Sequence, residues 1–235
     1  MNDKDGFSII TITCRSQCID NIIQNYIQQD FINKELIVII NNDKINIESF
    51  NKYVKTYPNI SIYKLSQQTS LGECLNFAID KSNYDLIAKF DDDDYYGKFY
   101  LGEAYHAFLE KDCEVVGKWD TYYYFEKFRM LMLLSNNKFY NRPTGSTICF
   151  KKEITKEIKF ANINSGEDTK FYNDCIKKGY KIYITSKFNH IIFRAADHSS
   201  HTCKLPAEYI IRACETVKSN IDLRKCFRII EKKFR

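Results

Sequence analysis

Four consecutive aspartates, Asp91 to Asp94, stand directly after the apolar run of residues 86–90. Carboxylates this close repel one another, because two unit charges ~7 Å apart cost roughly 0.6 kcal/mol in water and several times more beside a low-dielectric surface. A bound cation relieves this repulsion. Since side chains alternate along an extended chain, Asp91 and Asp93 are expected to face one side and Asp92 and Asp94 the other, so that one pair can share a metal ion.

An acidic run is most often a solvated turn, and that interpretation stays open for these four residues. Their placement favours a different one. A buried strand is expected to run straight into the aspartates, and helix-like sequence resumes at residues 99–101. Open α/β sheets bind their ligands at the carboxyl ends of strands. The placement therefore indicates a metal or phosphate site.

The elements before the aspartates alternate between strand and helix. Residues 8–13, 36–40 and 60–65 are apolar enough for buried strands, and the apolar residues between them recur at helical spacing. A helix predicted over residues 71–81 leads into the strand at residues 86–90. This order is typical of a mostly parallel sheet with covering helices, so we expect the α/β class.

The second half of the chain is less regular. Its predicted strands cover residues 115–118, 122–125, 146–150 and 180–185. A helix is expected over residues 167–178, ended by Gly179. Pro206 opens a predicted helical region that continues to Arg235, with an apolar stripe on one face and basic residues on the other.

The composition limits the classes of function. The chain has 235 residues, of which 44% are hydrophobic and 28% charged, as in ordinary globular proteins. The formal net charge is +5, but the basic residues are spread along the chain until its last dozen positions, so no nucleic-acid partner is expected. Nine cysteines without CxxC pairs, and an N-terminus without a signal-peptide core, favour a reducing cytoplasm. The most apolar window, residues 128–134, is far shorter than the ~20 residues of a membrane helix.

Six motifs in a fixed order give the chain a resemblance to a known family. They are Thr11-Ile12-Thr13-Cys14-Arg15, Asn41-Asn42-Asp43, the segment Ser70 to Asn76, the aspartate run, Ser165-Gly166-Glu167-Asp168-Thr169, and the segment Arg194 to Thr202. In this order they resemble the GT-A glycosyltransferases, in particular family 2 of the nucleotide-sugar transferases. The resemblance implies a Rossmann-like GT-A fold, with a mostly parallel central sheet flanked by helices and a C-terminal helical extension.

The resemblance also implies how the chain is divided. Residues 1–204 are expected to form the glycosyltransferase domain, in which residues 1–97 bind the nucleotide and residues 98–204 hold the acceptor and the catalytic group. Residues 205–235 are expected to form the helical extension. Its basic and apolar faces would suit a packed helix, an oligomer contact or the surface of an anionic membrane.

The family pattern assigns the nucleotide contacts to residues that follow the first, second and fourth strands and open the third helix. These are Thr13, Arg15, Asn42, Asp43, Gly72, Asn76, Asp91 and Asp92. Two positions depart from the pattern, because the family usually carries an aspartate pair at the asparagines and often an arginine in place of Leu75. Whether Asp43 or an asparagine meets the base stays open, since an asparagine amide can also pair with a pyrimidine edge.

The aspartate run matches the family's DxD signature. The match assigns Asp91 and Asp93 as the metal pair, with Asp92 as an alternative because the register of a four-residue run is ambiguous. Mn²⁺ or Mg²⁺ bound there would bridge the carboxylates to a diphosphate and neutralise the leaving group.

The last motif resembles a segment that folds over the diphosphate in the family, often with a histidine on the metal. His201 is the expected histidine ligand and His198 its alternative. Arg194, whose planar fork suits phosphate oxygens, and Glu167 are further candidates for donor contacts. With Cys203 the two histidines could form a zinc site instead, although no second cysteine cluster accompanies them.

The pair Glu167-Asp168 resembles the motif that supplies the catalytic base in inverting members. The resemblance assigns Asp168 to take the proton of an acceptor hydroxyl as its oxygen attacks the anomeric carbon, opposite the leaving diphosphate. Acidic residues also cap helices, and the two roles are compatible because a helix start fixes a carboxylate at the rim of a site.

These expectations combine into one function, the metal-dependent and inverting transfer of a sugar from a UDP-linked donor to a hydroxyl of a glycan or lipid-linked acceptor. The expected setting is polysaccharide biosynthesis in the cytoplasm, or at the inner face of the membrane. Two alternatives stay open: a phosphoryl-transfer enzyme, since apolar strands ending in Asp-x-Asp also open phosphatases and nucleases, and a non-catalytic binding module for nucleotide sugars. The Thr or Val that should follow the phosphatase pair is absent, because Tyr95 and Tyr96 stand there.

Overall fold

The structure, a computed structural model, describes residues 4–135, 142–197 and 205–234. Its larger sheet has seven strands. In sheet order they are β10 (Ile182–Thr185), β6 (Val115–Lys118), β9 (Cys149–Lys151), β4 (Leu86–Lys89), β1 (Phe7–Thr13), β2 (Lys34–Ile40) and β3 (Ile60–Lys64). Strand β9 runs antiparallel to both of its neighbours, and the other neighbouring pairs are parallel. The predicted α/β class with a mostly parallel sheet is confirmed.

Five helices cover the two faces of this sheet. They are α1 (Ile19–Ile27), α2 (Asn51–Thr56), α3 (Leu71–Lys81), α4 (Tyr100–Glu110) and α5 (Glu167–Lys177). Because side chains alternate along β1, Ile9 packs into the core beneath α1 and α4, whereas Ile10 packs into the core beneath α3 and α5. Both faces of the central strands are buried, which explains why β2 is an unbroken apolar run from Leu36 to Ile40.

A second sheet of five strands lies beside the aspartates. In sheet order its strands are β12 (Glu215–Lys218), β8 (Met130–Leu134), β7 (Thr121–Phe125), β11 (His190–Arg194) and β5 (Tyr95–Tyr96). Two short helices, α6 (Ala207–Ala213) and α7 (Leu223–Ile230), complete the described chain. Strand β5 begins at the residue after Asp94, so the aspartate run is the connection between the two sheets.

The prediction of one continuous terminal helix is wrong. Pro206 does precede a helix, but the described part of the region divides into α6, β12 and α7. Strand β12 pairs antiparallel with β8, and this pairing satisfies the backbone hydrogen-bonding groups at the edge of β8. The helical spacing of the apolar residues in the sequence does not reveal this strand. The apolar stripe of α7 is also not free, because Cys226 and Ile230 are fully buried.

Three smaller differences concern the second half. The strand predicted at residues 146–150 begins at Cys149, because residues 145–147 form a short 3₁₀ turn. The apolar window at residues 128–134 contains β8, and β11 was not predicted at all. Both strands are stabilised by cross-strand partners that are distant in sequence, so the local periodicity of apolar residues does little to predict them.

Membrane-spanning segments are not found in the part of the chain that the structure describes, since none of its helices is both long and apolar enough to cross a bilayer.

Gly72 lets α3 approach the chain segment that leads to α5. A Cβ atom at this position would lie 1.7 Å from the carbonyl oxygen of Ala161, which is backbone and cannot move aside easily. We therefore expect Gly72→Ala to destabilise the fold by about 1–3 kcal/mol, although alanine favours helices. Asp80→Ala, at an exposed position of the same helix, is the control and is expected to change stability by less than about 0.5 kcal/mol. Urea unfolding measures both, and wild-type stability of the Gly72 variant would contradict this packing.

Candidate active site

The four aspartates alternate between buried and accessible positions. Asp92 and Asp94 are buried, whereas the side chains of Asp91 and Asp93 retain 37% and 21% of their exposure. This alternation is the one expected for an extended chain, and it leaves Asp91 and Asp93 as the accessible pair.

Arg15 ties two of these carboxylates to the end of β1. Its Nε atom donates to Oδ2 of Asp92 at 3.1 Å, its Nη2 atom pairs with Oδ1 of Asp92, and its Nη1 atom lies 3.0 Å from Oδ2 of Asp93. The hydroxyl of Thr13 donates to Oδ2 of Asp92 at 2.6 Å. Burial raises the pKa of Asp92, and the hydrogen bonds from Arg15 and Thr13 oppose that shift. Thr13 and Arg15 thus fix the position of the aspartates.

Lys89 is the second cation of this site. Its Nζ atom pairs with Asp91, and only 8% of its side chain is exposed. Burial alone would lower the pKa of Lys89, but the negative charges of Asp91, Glu167 and Asp168 raise it above its ordinary value, so the ammonium stays charged. The sequence signal for this residue is a lysine inside an otherwise apolar strand, directly before the aspartates.

Asp94, the fourth aspartate, is held by β11. The amide of Phe193 donates to its Oδ1 atom at 3.1 Å, and the Nε2 atom of His190 lies 3.4 Å from its Oδ2 atom. Burial, followed by the charges of Asp93 and Asp91, raises the pKa of Asp94 well above its usual range. Burial also lowers the pKa of His190 far below its usual range, so the contact joins a carboxyl group to a neutral imidazole.

The second acidic group lies at the start of α5. Gly166, with a φ of 80°, turns the chain into the helix, and Oδ1 of Asp168 accepts hydrogen bonds from the amide and hydroxyl of Thr169 at 2.5 and 3.1 Å. Nη2 of Arg142 lies 3.8 Å from the same oxygen. A Cβ atom on Gly145 would lie 1.8 Å from Oδ2 of Asp168, so only glycine leaves this carboxylate in place.

Glu167 is buried beside the Lys89 ammonium. Burial raises the pKa of Glu167, and the attraction of Lys89 opposes part of that shift. Glu167 is therefore placed to face the inner part of the site, whereas Asp168, with 23% of its side chain exposed, faces its opening.

One cavity of about 880 Å³ brings the aspartates and the start of α5 together. This volume lies in the range of sites for small molecules and cofactors. The predicted site residues in its lining are Arg15, Asp91, Asp92, Asp93, Glu167, Asp168 and Arg194. Side chains that were not assigned from the sequence also line it, namely Cys14, Lys89, Asp94, Tyr123 and Arg142. Asn41, one of the two asparagines left open for the base contact, lines it as well.

Five predicted nucleotide contacts, Thr13, Asn42, Asp43, Gly72 and Asn76, do not line this cavity. The amide of Asn42 donates to the carbonyl of Cys14 at 2.9 Å and Asp43 is exposed, so both remain at the surface beside the site.

Asn76 makes hydrogen bonds to the segment before α5. Its Nδ2 atom donates to the carbonyl of Phe160 at 2.9 Å, and its Oδ1 atom accepts from the amide of Phe160 at 3.0 Å. Together with the close approach at Gly72, these bonds anchor the segment that leads to α5. The nucleotide contacts of Gly72 and Asn76 stay predictions.

Two predicted donor residues, His198 and His201, lie outside the described residues, as does Cys203. Arg194 is buried in the cavity wall, where its Nη2 atom donates to the carbonyl of Leu205 at 2.9 Å.

Metal-ligand clusters of three or more His, Cys, Asp or Glu side chains are not found among residues 4–135, 142–197 and 205–234. The accessible carboxylates of Asp91 and Asp93 nevertheless have the oxygen-donor chemistry that Mg²⁺ and Mn²⁺ prefer. Such ions are commonly held by one or two carboxylates together with substrate phosphates. The donor set therefore fits a metal that binds together with a phosphorylated ligand.

The profile of the family described as "Glycosyl transferase family 2" matches residues 8–187. The protein belongs to glycosyl transferase family 2. The match covers both acidic groups of the cavity and all of the larger sheet except its first residue, Phe7, and the fold is the GT-A fold that the sequence motifs implied.

Two kinds of relatives agree with this membership. The chain is 31% identical over 116 residues to the O-antigen biosynthesis glycosyltransferase WbnJ of Escherichia coli, which covers 48% of this chain and 45% of WbnJ. Its fold is similar to that of S. aureus TarS 1-349 in complex with UDP-GlcNAc, with a TM-score of 0.62, 18% identity and coverage of 84% of this chain and 62% of that one. It is also similar to the mannosyltransferase PcManGT from Pyrobaculum calidifontis in complex with GDP-Man and Mn²⁺, with a TM-score of 0.62, 15% identity and coverage of 83% and 58%. The chain therefore spans less than two thirds of each of these proteins.

Asp94→Asn tests the electrostatics of this family 2 site. A carboxyl whose pKa is raised by folding stabilises the folded state fully below its ordinary pKa, and this contribution is lost as the pH rises through the raised value. We expect the wild type to lose stability relative to the variant from about pH 4 upward. Urea unfolding of both proteins across the pH range, with EDTA present, measures the difference. A difference that does not depend on pH would contradict the assigned burial of Asp94.

Proposed function

We propose that the protein is a metal-dependent, inverting glycosyltransferase that moves a sugar from a UDP-linked donor to a hydroxyl of a glycan acceptor. One observation carries the proposal: a single cavity joins an accessible carboxylate pair at the end of a parallel strand to a second, fixed carboxylate across from it. Sugar transfer needs these two groups, one for the leaving diphosphate and one for the attacking hydroxyl.

The charge of the cavity supports metal dependence. Six acidic and four basic side chains line it among the described residues. Asp94, one of the six, has a pKa raised well above its usual range, so the excess of negative formal charge is one rather than two. A nucleoside diphosphate brings further negative charge, which this lining alone repels. A divalent cation held by Asp91 and Asp93 would cancel the excess and stabilise the diphosphate as it leaves. Arg15, already 3.0 Å from Asp93, is placed to contact the same phosphate oxygens.

The position of Asp168 supports its role as the base. Its carboxylate is fixed by Thr169 and Gly145 and is half-open to the cavity, so it can reach an incoming hydroxyl without reorganising. Nη2 of Arg142 lies 3.8 Å from Oδ1 of this carboxylate. A base that takes the hydroxyl proton during attack from the side opposite the leaving group would invert the anomeric centre.

The comparisons support the choice of donor and acceptor. TarS was solved with UDP-GlcNAc, and WbnJ is named for O-antigen biosynthesis, so a uridine nucleotide and a polysaccharide acceptor are the proposed substrates. The complex of PcManGT with GDP-Man and Mn²⁺ supports a manganese ion and makes GDP the comparison nucleotide for any test. We place the reaction in the cytoplasm, where nucleotide sugars are the available donors.

Asp168→Asn is predicted to lower kcat by roughly 10²- to 10⁴-fold, because an amide cannot accept the hydroxyl proton. The dissociation constant for UDP with Mn²⁺ should stay within a few-fold of wild type. Asp174→Asn on the same helix, where the carboxylate pairs with Lys170 at 2.6 Å, is the control and should keep full activity. Release of UDP from a panel of UDP-sugars, with mono- and disaccharide acceptors, measures turnover.

Two outcomes would overturn the assignment of Asp168. Unchanged kcat in the Asp168 variant would remove it from the mechanism. Hydrolysis of phosphate monoesters by the wild type, without selective use of any nucleotide sugar, would favour the phosphoryl-transfer alternative.

A thermal-shift screen of UDP, GDP, ADP and CDP tests the nucleotide and the metal together. Ligands that bind the folded state alone raise its apparent stability, by about 2.7 kcal/mol at a hundredfold excess over the dissociation constant. We expect UDP to raise the melting temperature in the presence of Mn²⁺ and not in EDTA, and we expect Asp93→Asn to abolish the shift. Equal shifts for all four nucleotides would refute the uridine assignment, and an equal shift in EDTA would refute the metal.

A further inference from the structure

The residue after the aspartate run, Tyr95, is packed against the C-terminal segment. The ring of Tyr95 stacks on that of Phe227 in α7, with a centroid distance of 3.7 Å and an interplanar angle of 3°. Its hydroxyl donates to Oε1 of Glu231 at 2.8 Å. Burial, followed by this hydrogen bond, raises the pKa of Tyr95, so the phenol remains a donor at any physiological pH. Two side chains that lie more than 130 residues away in sequence thus hold Tyr95.

The same Glu231 oxygen holds a second point of the loop. Oε1 accepts a hydrogen bond from the amide of Lys98 at 3.0 Å. One carboxylate therefore binds both ends of the short stretch from Tyr95 to Lys98, where the chain turns from the aspartates towards α4.

Asn189 fixes the C-terminal segment in this position. Its amide donates to the carbonyl of Ile230 at 2.9 Å, its Nδ2 atom donates to the carbonyl of Lys232 at 2.8 Å, and its Oδ1 atom accepts from the amide of Lys232 at 3.0 Å. Its own carbonyl accepts from the amide of Gly97 at 2.9 Å. Asn189 is buried and has a φ of 64°, a conformation that asparagine tolerates better than most residues.

The opposite side of the aspartates is held by α1. The amide groups of Asn21 and Asn25 donate to the carbonyl of Asp94 at 2.9 and 2.8 Å, and Asn21 also donates to the carbonyl of Asp92 at 2.9 Å. The aspartate run is therefore clamped between a helix from the N-terminal part of the chain and the C-terminal segment.

We propose that the segment from Phe227 to Lys232 is a positioning element of the active site, which sets the direction of the Asp93 and Asp94 side chains through Tyr95. The inference rests on the proposed function, since it explains how a carboxylate pair is held ready for a metal and a diphosphate. Asp93 and Asp94 are the two residues before Tyr95, so a rotation of the Tyr95 backbone displaces both carboxylates.

Of the three roles that the sequence left open for the segment, this one agrees with a packed helix and differs from an oligomer contact or a membrane surface. The apolar side chains are already used, because Cys226 and Ile230 are fully buried in the second sheet's core. Glu231 makes its contacts with the loop beside the active site, and the exposed basic residues take no part in them.

The test compares Glu231→Ala, Glu231→Gln and Tyr95→Phe with the wild type. The alanine variant removes the acceptor for both bonds, and the phenylalanine variant keeps the ring stack while it removes the hydroxyl. Glutamine retains a carbonyl oxygen that can accept both bonds, so it should restore the wild-type values. Asp222→Ala is the control, because it removes the same charge from the residue before α7, where Asp222 pairs at the surface with Arg129 at 2.6 Å.

Two readouts separate positioning from a general loss of stability. Hydrogen exchange of the peptide that spans residues 91–98 reports on the loop, and titration with Mn²⁺ and UDP, at a temperature where every variant is folded, reports on the site. We expect faster exchange in this peptide, and a dissociation constant roughly 10- to 100-fold higher, for the alanine variant. Tyr95→Phe should give a smaller effect of the same kind, and the glutamine and Asp222 variants should match the wild type.

The double variant Tyr95→Phe/Glu231→Ala should be no worse than Glu231→Ala alone, because both changes break one interaction. Wild-type affinity in Glu231→Ala, with a lower melting temperature, would overturn the positioning role and leave the segment purely structural. Failure of the wild type itself to bind any nucleotide would instead overturn the proposed function.

Discussion

The ion pair between Arg15 and Asp92 is the constraint on which the site depends. It joins the end of β1 to the aspartates after β4, and Thr13 adds a 2.6 Å hydrogen bond to the same carboxylate. A buried charge left without a partner is costly, so the pair fixes one register for the whole run. That register turns Asp91 and Asp93 towards the cavity and Asp94 towards β11. The excess of negative charge that remains is the basis for proposing a cation at this site.

The sequence predicted the first half of the fold well and the second half poorly, for a physical reason. Strands such as β1 and β2 are buried on both faces, so their composition reveals them, and the helix over residues 71–81 has the predicted bounds. Strands β8, β11 and β12 exist because they pair with partners distant in the chain, which no local pattern encodes. The prediction for the terminal region was wrong for the same reason, because β12 interrupts a stretch whose apolar residues have helical spacing.

The candidate site shows the same division. The alternation of the four aspartates predicted the accessible pair, and the family resemblance implied that Asp168 shares their site; one cavity contains all three side chains. Contacts made over long distances in sequence were not predictable. Asn76 forms hydrogen bonds with the backbone of Phe160, 84 residues away. A Cβ atom added at Gly145 would lie 1.8 Å from Asp168, and only the folded structure shows that these two residues are neighbours. Family membership indicates the general chemistry, and these contacts determine where the side chains of the site lie.

The most direct test of the account is a crystal structure of the protein with UDP and Mn²⁺, with anomalous data collected at the manganese edge. The account predicts an anomalous peak between the Asp91 and Asp93 carboxylates and the diphosphate oxygens, with Asp168 across the same cavity and Arg15 still paired with Asp92. A nucleotide bound without manganese at these carboxylates, or bound outside the cavity, would contradict it.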